Sequence, residues 1–87
     1  MQVGFLIAFE KDLAKVPRPV RKRVLALVDR LKAAGSLRQI GQVKKLAGHK
    51  NAYRIRIGNF RLGILVQGDK VMFARILDRK EVYRFFP

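Results

Sequence analysis

The first third of the chain changes from a strand-like to a helix-like pattern of apolar residues. Residues 3–9 are apolar in both phases of a two-residue alternation, which predicts a strand covered on both faces. A short helical turn is expected over residues 10–16, before Pro17 interrupts it. A second helix is expected to begin at Pro19 and to end at Gly35. Its buried stripe consists of apolar residues at helical spacing, namely Val20, Val24, Leu27, Val28 and Leu31.

The second half of the chain follows a period of two and predicts an antiparallel meander. Strands are expected at residues 52–57, 60–66 and 71–77. Two-residue turns are expected at Gly58-Asn59 and Gly68-Asp69. Residues 36–51 are expected to form a connection with turns, and residues 79–87 a short C-terminal tail. The pattern therefore predicts one α+β domain over residues 1–87, with an N-terminal strand, two helices and a three-stranded meander packed on the helices.

Charge is the strongest feature of the composition. The 87 residues include 20 lysines and arginines against six aspartates and glutamates, which gives a formal net charge of +14. No acidic residue occurs between Asp29 and Asp69. Such a charge causes self-repulsion and indicates a partner that is nucleic acid, an acidic protein or an anionic membrane. The membrane is disfavoured because the helical segment has no aromatic anchor. A charge that serves only solubility is the remaining alternative.

The cysteine and histidine content excludes several kinds of site. The chain has no cysteine and one histidine, His49, which excludes a disulfide scaffold, a zinc–thiolate site and a cysteine nucleophile. No metal and no small-molecule cofactor are therefore expected. No apolar run approaches the roughly 20 residues needed to cross a bilayer. The first nine residues lack the basic segment of a signal peptide, so a cytoplasmic protein is expected.

The meander is predicted to place three arginines on one face of the sheet. If Gly58-Asn59 is the whole loop, Arg56 lies opposite Arg61. Arg54 then lies opposite Gly63. Directly opposed like charges destabilise a strand pair, whereas arginine is well suited to bidentate contacts with phosphate. An anion site is therefore expected, with Gly63 allowing a ligand to approach the backbone. The alternative is an ordinary solvated strand face.

The C-terminal region is expected to be held by aromatic packing and an ion pair. Phe85 and Phe86 are expected to pack the tail onto the domain. Arg75 falls in the apolar phase of its strand, and a partner for its charge is expected nearby in sequence. The candidates are Asp78 and Glu81.

Two stretches of the sequence resemble the RelE/ParE family of toxins. Residues 45–61 read Lys-Leu-Ala-Gly-His-Lys-Asn-Ala-Tyr-Arg-Ile-Arg-Ile-Gly-Asn-Phe-Arg. They are similar to the family's Leu-Lys-Gly-like loop followed by Tyr-Arg-Ile-Arg-Val-Gly-Asp-Tyr-Arg. Residues 78–87 read Asp-Arg-Lys-Glu-Val-Tyr-Arg-Phe-Phe-Pro and resemble its His-Arg-Lys-Asp-Ile-Tyr ending. The order of strand, paired helices and meander matches along essentially the whole chain.

The resemblance implies a metal-independent, ribosome-dependent mRNA endonuclease that a cognate acidic antitoxin holds inactive. The family's active-site positions correspond here to Arg54, Arg56, Arg61, Arg79 and Tyr83. Tyr83 is expected to stack on a base or to assist proton transfer, with packing of the tail as the alternative. Arginine cannot act as a general base at neutral pH, and Asp78 stands where the family often has a histidine. Charge stabilisation is therefore better supported than acid–base catalysis.

Further basic residues are expected to contact RNA or the ribosome through phosphates. They are Lys44, Lys45, Lys50, Lys80 and Arg84. Lys80 also competes with Arg79 for the family's C-terminal arginine position. Two other functions remain open: a ParE-like poison of DNA gyrase, and a non-enzymatic RNA- or ribosome-binding module that uses the same arginines. The antitoxin is expected to wrap the toxin and to cover part of its basic surface.

Overall fold

The computed structural model describes all 87 residues, which form three helices, a 3₁₀ turn and five strands. In chain order these are β1 (Gln2–Phe5), α1 (Ile7–Leu13), α2 (Arg18–Ala33), the 3₁₀ turn (Leu37–Gln39), β2 (Val43–Lys45), β3 (Ala52–Ile57), β4 (Phe60–Gln67), β5 (Lys70–Asp78) and α3 (Val82–Phe85). The strands form one sheet in the order β1-β5-β4-β3-β2. β1 runs parallel to β5, and the other neighbours are antiparallel. The predicted α+β class and order of elements are confirmed. None of the helices has the length and apolar character required to span a membrane.

The N-terminal strand is shorter than the predicted segment of residues 3–9, because a helix takes over its second half. β1 ends at Phe5, and the Leu6 N–H donates to the carbonyl of Phe73 at 2.9 Å. Phe9 then lies on α1 and is buried, with its ring centroid 5.3 Å from that of Phe73. A short apolar run is compatible with either a strand or a helix, and this aromatic contact favours the helix.

The second helix has the predicted stripe, but it ends differently from the prediction. Pro19 is the second residue of α2, within the first turn where its missing N–H is tolerated. Gly35 follows the capping residue Ala34 as expected, but its backbone is not left-handed. The ammonium group of Met1 donates to the carbonyls of Leu31 and Ala34 at 3.1 and 2.8 Å. The Leu31 carbonyl also accepts the Ala34 N–H, so the ammonium group and the chain's own backbone together satisfy the carbonyls at this helix end.

The meander has the predicted register. Arg56 pairs with Arg61 across a two-residue turn, in which Gly58 has a φ of 59°. β5 is an interior strand, as its apolar faces predicted. One irregularity was not predicted: a bulge follows Gly63, where Ala74 of β5 has no partner in the ladder.

The connection between α2 and the meander contains a fifth strand that the sequence did not predict. β2 pairs antiparallel with β3 and places Lys44 opposite Arg54. It has only three residues, of which Lys44 and Lys45 are exposed. Three residues are too few to display an alternation of apolar and polar side chains.

The two faces of the sheet are covered in different ways. α1 and α2 cover one face, here named the helix face, and form the main core with it. The core residues with no exposed surface include Val24, Leu31, Leu62, Ile64, Val71 and Phe73. The opposite face, named the tail face, carries a smaller cluster beneath α3. That cluster consists of Leu46, Ala52, Ala74, Val82 and Phe86. Lys44, Arg54, Arg56 and Arg61 lie on the tail face beside this cluster.

Candidate functional site

Basic side chains converge on one small cavity of the tail face. The strand register puts Arg56 opposite Arg61, and β2 brings Lys44 beside Arg54. The cavity measures about 250 Å³. Its walls are Gln42, Lys44, Arg54, Arg56, Arg61 and Tyr83. No carboxylate is among them, so this space, named the arginine cavity, has an excess of positive charge.

Arg54 has no acceptor within the protein for one of its buried donors. Its Nε is buried and makes no hydrogen bond. The one ion pair in the chain joins Arg75 to Asp12, so no carboxylate neutralises Arg54 either. A buried donor without an acceptor costs about 1–3 kcal/mol. Arg54 also lines the arginine cavity, so its guanidinium lies beside any phosphate bound there, with no carboxylate to compete for it.

Arg61 is held by the turn that precedes it. Its Nη1 donates to the carbonyls of Gly58 at 3.0 Å and Phe60 at 2.9 Å. These bonds fix the guanidinium beside Arg56, and its other donors make no bond to the protein. The side chain thus presents a cation whose orientation is set before any ligand arrives.

Tyr83 of α3 completes the cavity and interacts directly with Arg54. The tyrosine is 71% exposed, and the Arg54 Cζ lies 4.4 Å from the centroid of its ring. Hydrogen bonding from Arg54 to the phenolate, followed by the positive charge of Arg54, lowers the pKa of Tyr83 from its usual 10.0. The charges of Lys44 and Arg61 act in the same direction. The phenolate of Tyr83 therefore forms at a lower pH than that of an ordinary tyrosine.

Two apolar residues fix α3 on the sheet. Val82 has no exposed surface, and Phe86 is 6% exposed. The Phe86 ring lies directly over Gly63, where an added Cβ would be 2.5 Å from ring carbons. The prediction that Gly63 allows a ligand to approach is therefore wrong, because the chain's own tail fills that space. The packing predicted for Phe86 is confirmed, whereas Phe85 remains 49% exposed.

Arg75 pairs with a helix of the N-terminal half, so the predicted pairing with Asp78 or Glu81 is wrong. Its Nε and Nη2 donate to Oδ2 and Oδ1 of Asp12 at 2.7 and 3.0 Å. The same Oδ2 accepts the backbone N–H of Ile76 at 3.1 Å. β1 has ended before this point of β5, and the carboxylate on α1 takes the place of a neighbouring strand.

The predicted C-terminal basic residues lie outside the arginine cavity. Arg79 is exposed and does not line it; its backbone N–H donates to the carbonyl of Asn59 at 2.9 Å, beside the β3–β4 turn. Lys80 is also exposed. The Cζ of Arg84 lies 5.5 Å from the centroid of the Phe85 ring. Of the five residues that the family resemblance assigns to the active site, the structure brings Arg54, Arg56, Arg61 and Tyr83 together.

Gln42 and Lys44 reach the cavity from the connection whose strand was not predicted. Gln42 has a left-handed φ of 61°, and its carbonyl accepts the Arg56 N–H at 3.4 Å. Lys44 was expected as a peripheral RNA contact but lines the cavity itself. Lys45 and Lys50 lie beyond it, around the loop that joins β2 to β3. Gly41, which precedes Gln42, is the one feature of the sequence that indicates the left-handed backbone conformation of Gln42.

Charge, and not cavity size, distinguishes the arginine cavity from a larger depression elsewhere on the surface. A larger cavity of about 670 Å³ lies near Leu37, Val43 and Tyr53, and it shares no lining residue with the arginine cavity. Its wall mixes apolar residues with both signs of charge. No group of three His, Cys, Asp or Glu side chains is close enough to hold a metal ion.

Comparisons with known proteins agree on one family of toxins. A family model described as the ParE toxin of the type II toxin–antitoxin system parDE matches residues 5–83. The chain is 43% identical over 88 residues to Toxin RelE3 of Methanocaldococcus jannaschii, and the match covers all of both chains. A RelB–RelE antitoxin–toxin complex from Methanococcus jannaschii contains a chain with a TM-score of 0.86 and 42% identity, covering 97% of this chain and 99% of that one. An archaeal RelE–RelB complex from Pyrococcus horikoshii OT3 has a TM-score of 0.74 at 24% identity, over 90% and 93% of the two chains, and shows likeness of fold.

Proposed function

Because the chain belongs to the RelE/ParE family of toxins from type II toxin–antitoxin systems, we propose that it is a ribosome-dependent mRNA endonuclease neutralised by a cognate antitoxin. The observation that carries the proposal is the arginine cavity, where four cationic side chains surround one space without a carboxylate. An RNA phosphodiester offers the negative oxygens that these unpaired donors need. Messenger RNA on ribosomes is a cytoplasmic substrate, and a cytoplasmic location is part of the proposal.

The proposed reaction is attack by an RNA 2′-hydroxyl on the adjacent phosphorus. A bond forms between O2′ and phosphorus as the bond from phosphorus to O5′ breaks, which leaves a 2′,3′-cyclic phosphate and a 5′-hydroxyl. The attacking hydroxyl loses a proton and the departing oxygen gains one, so the atoms balance without another reactant. Negative charge grows on the non-bridging oxygens, and Arg54, Arg56 and Arg61 stabilise it from fixed positions.

Tyr83 is the proposed proton carrier or base-stacking residue of the site. The arginines cannot accept a proton at neutral pH, so Tyr83, whose pKa Arg54 lowers, is the residue of the cavity proposed to carry the proton. The ring's exposed side also suits stacking on an unpaired base. Replacement by phenylalanine separates the two roles, because phenylalanine keeps the ring and removes the hydroxyl.

Exposed basic residues around the cavity are proposed to dock the toxin on the ribosome. They are Lys45, Lys50, Arg79, Lys80 and Arg84, and all are exposed. Flexible surface lysines act on phosphates as point charges and therefore contribute affinity that falls with salt. These residues are expected to affect binding more than the rate of cleavage.

The proposed partner in the inactive state is an acidic antitoxin segment that folds as it binds. The net charge of +14 favours such a segment and accelerates its association. Similar toxins from Methanococcus jannaschii and Pyrococcus horikoshii occur in solved complexes with RelB antitoxins. Acidic side chains over the arginine cavity would exclude RNA from it.

Single-turnover cleavage of mRNA on programmed ribosomes tests the nuclease. Arg54→Ala is expected to lower the rate at saturating ribosomes by about 10²–10³-fold, the usual loss for one oxyanion-stabilising donor. Arg18→Ala is the matched control, because Arg18 is an exposed arginine on α2 that does not line the cavity. A wild-type protein that binds programmed ribosomes and leaves the mRNA intact would favour the non-enzymatic RNA-binding module.

The match to a ParE family model gives a reason to test DNA gyrase in parallel. Inhibition of gyrase supercoiling by the wild-type protein, without cleavage of ribosome-bound mRNA, would establish the ParE-like alternative. The nuclease proposal predicts the reverse result: mRNA is cut and supercoiling continues.

A further inference from the structure

A second cationic cavity adjoins the arginine cavity at the end of β3. It measures about 270 Å³ and lies between α2 and β3. Arg23 and Arg30 of α2 and Arg56 of β3 supply its charged walls, and Leu27 and Ile55 contribute apolar surface. No acidic side chain lines it, so its charge is unbalanced in the same way as that of the arginine cavity.

The two helix arginines point to the same side of α2. They are separated by two helical turns, with Leu27 on the same stripe between them. Both are exposed, and neither forms an ion pair, since the chain has one ion pair and it joins Arg75 to Asp12. The Nη1 of Arg23 lies 3.4 Å from the point where a Cβ of residue 58 would be, so the side chain reaches the β3–β4 turn. The carbonyl of Gly58 in that turn also holds Arg61.

The two cavities are contiguous. Arg56 and Gln42 line both of them, so these two residues lie at their boundary. A single RNA strand carries a negative charge at every nucleotide. When one phosphate occupies the arginine cavity, a neighbouring phosphate therefore lies within one nucleotide's reach of Arg56, on one side or the other.

We propose that Arg23, Arg30 and Arg56 form a second phosphate site, which binds the phosphodiester adjacent to the one in the arginine cavity. The inference rests on the proposed function, because an RNA strand in the arginine cavity defines the path. The ligand is the backbone of a single-stranded polynucleotide. The lining has no aromatic side chain on which a base could stack, so the contact is independent of base identity.

Short oligoribonucleotides test this site. The probes are fluorescent and carry a 2′-deoxy substitution at every attacking position, so that they bind without being cut. One probe is a dinucleotide with a single phosphodiester, and two others extend it by one nucleotide at the 5′ or the 3′ end. One of the extensions is expected to bind the wild-type protein about tenfold more tightly, the usual gain from charge-assisted hydrogen bonds. Its log–log salt slope is expected to steepen by about 0.7, the value for one more phosphate contact on a single strand.

A double variant and a matched control show whether Arg23 and Arg30 cause the tighter binding of the extended probe. Arg23→Gln combined with Arg30→Gln is expected to abolish the gain from extension while the dinucleotide binds as before. Arg18→Gln combined with Lys32→Gln removes the same charge from the same helix outside both cavities, and is expected to keep the gain. All four side chains are exposed, so the melting temperatures are expected to stay within a few degrees of wild type.

Three results would overturn the second phosphate site. They are a wild-type protein that gains nothing from either extension, an equal loss in both double variants, and a gain that survives Arg23→Gln/Arg30→Gln. Failure of the proposed function gives a different pattern: mRNA on ribosomes is not cut, or dinucleotide binding is insensitive to Arg54→Ala. A gain confined to Arg23 and Arg30 without any cleavage would support the second phosphate site on a binding protein.

Discussion

The helix face of the sheet is apolar, whereas the tail face carries the arginine cavity beside its small apolar cluster. Consecutive residues of β4 contribute to one face or the other. Leu62 points into the helix face and has no exposed surface. Its neighbours Arg61 and Gly63 point to the tail face, where Arg61 lines the arginine cavity and Gly63 lies beneath Phe86. No polar or charged residue is buried in the chain. Apolar burial is thus concentrated on one face, and this leaves the other face free to hold like charges close together.

The tail face retains features that oppose stability in the absence of a ligand. Arg56 and Arg61 are directly opposed, and like charges at such positions destabilise a strand pair. Arg54 adds a buried donor without an acceptor. A bound phosphate relieves the repulsion between Arg56 and Arg61, and the free energy so released is available for binding or for stabilising the transition state. The four predictions that follow test this division between the faces.

The largest expected effect is a loss of unfolding free energy when a core side chain of the helix face is shortened. Leu62→Ala removes a fully buried side chain from the main core, and such changes cost about 2–5 kcal/mol of unfolding free energy. Urea denaturation followed by circular dichroism measures it. Leu25→Ala is the control, because Leu25 is 52% exposed on α2 and a small change is expected. A loss below about 1 kcal/mol at Leu62 would show that the helix face is not the main source of stability.

The next effect is catalytic and concerns the residue beside Leu62 on the other face. Arg61→Ala is expected to lower single-turnover cleavage at saturating ribosomes about a hundredfold. Its unfolding free energy is expected to change by less than about 1 kcal/mol, because relief of the repulsion from Arg56 offsets the loss of two hydrogen bonds to the turn, one exposed and one partly buried. A wild-type rate once binding is saturated would mean that Arg61 only docks the protein on RNA.

A smaller effect is expected where the tail meets the sheet. Gly63→Ala places a methyl group against the Phe86 ring, which must move, and overpacking of this kind costs about 1–3 kcal/mol. The shift of α3 is also expected to carry Tyr83 away from Arg54 and to slow cleavage. Gly41→Ala is the stability control, since nothing lies within 4 Å of its added Cβ. If Gly63→Ala melts and cleaves like wild type, Phe86 does not position the tyrosine.

The smallest effect is on the titration of Tyr83, which is exposed and therefore screened by solvent. Because Arg54 lowers the pKa of this phenol, its phenolate forms at lower pH than the usual 10.0 would give. Arg54→Gln is expected to move phenolate formation, followed by ultraviolet absorbance, to higher pH. Tyr83→Phe identifies the signal, because Tyr53 is the other tyrosine of the chain. Identical titration curves for the wild type and Arg54→Gln would exclude this coupling.

Periodicity and turn chemistry were sufficient to predict the meander, because both depend on residues that are close together in the sequence. A two-residue turn with glycine in its first position fixes the Arg56–Arg61 pair, and the alternation then fixes the face. The same reasoning could not find β2, whose three residues are too few to show a period. It also could not find the pair between Asp12 and Arg75, which are 63 positions apart and meet only when α1 packs against β5.

The candidate site was predictable to the extent that it depends on the meander. Arg54, Arg56 and Arg61 share a face because of strand register alone, and Tyr83 was assigned through the resemblance of the C-terminal motif. The wall formed by Lys44 depends on the unpredicted strand. No sequence pattern separates a glycine that admits a ligand from one covered by the chain's own phenylalanine, so the role of Gly63 needed the tertiary structure.

The carboxylate of Asp12 also bears on how copies of this protein behave toward one another. A strand edge with free N–H and C=O groups is a template on which another chain can add a strand. β5 runs on beyond the end of β1, but its Ile76 N–H there is already bonded to Asp12. The edge at the far side of the sheet is β2, which is three residues long and exposes Lys44 and Lys45. The part of β5 that extends beyond β1 is thus closed by a side chain, and the β2 edge is short and charged, so the addition of a strand from another copy is disfavoured at both places.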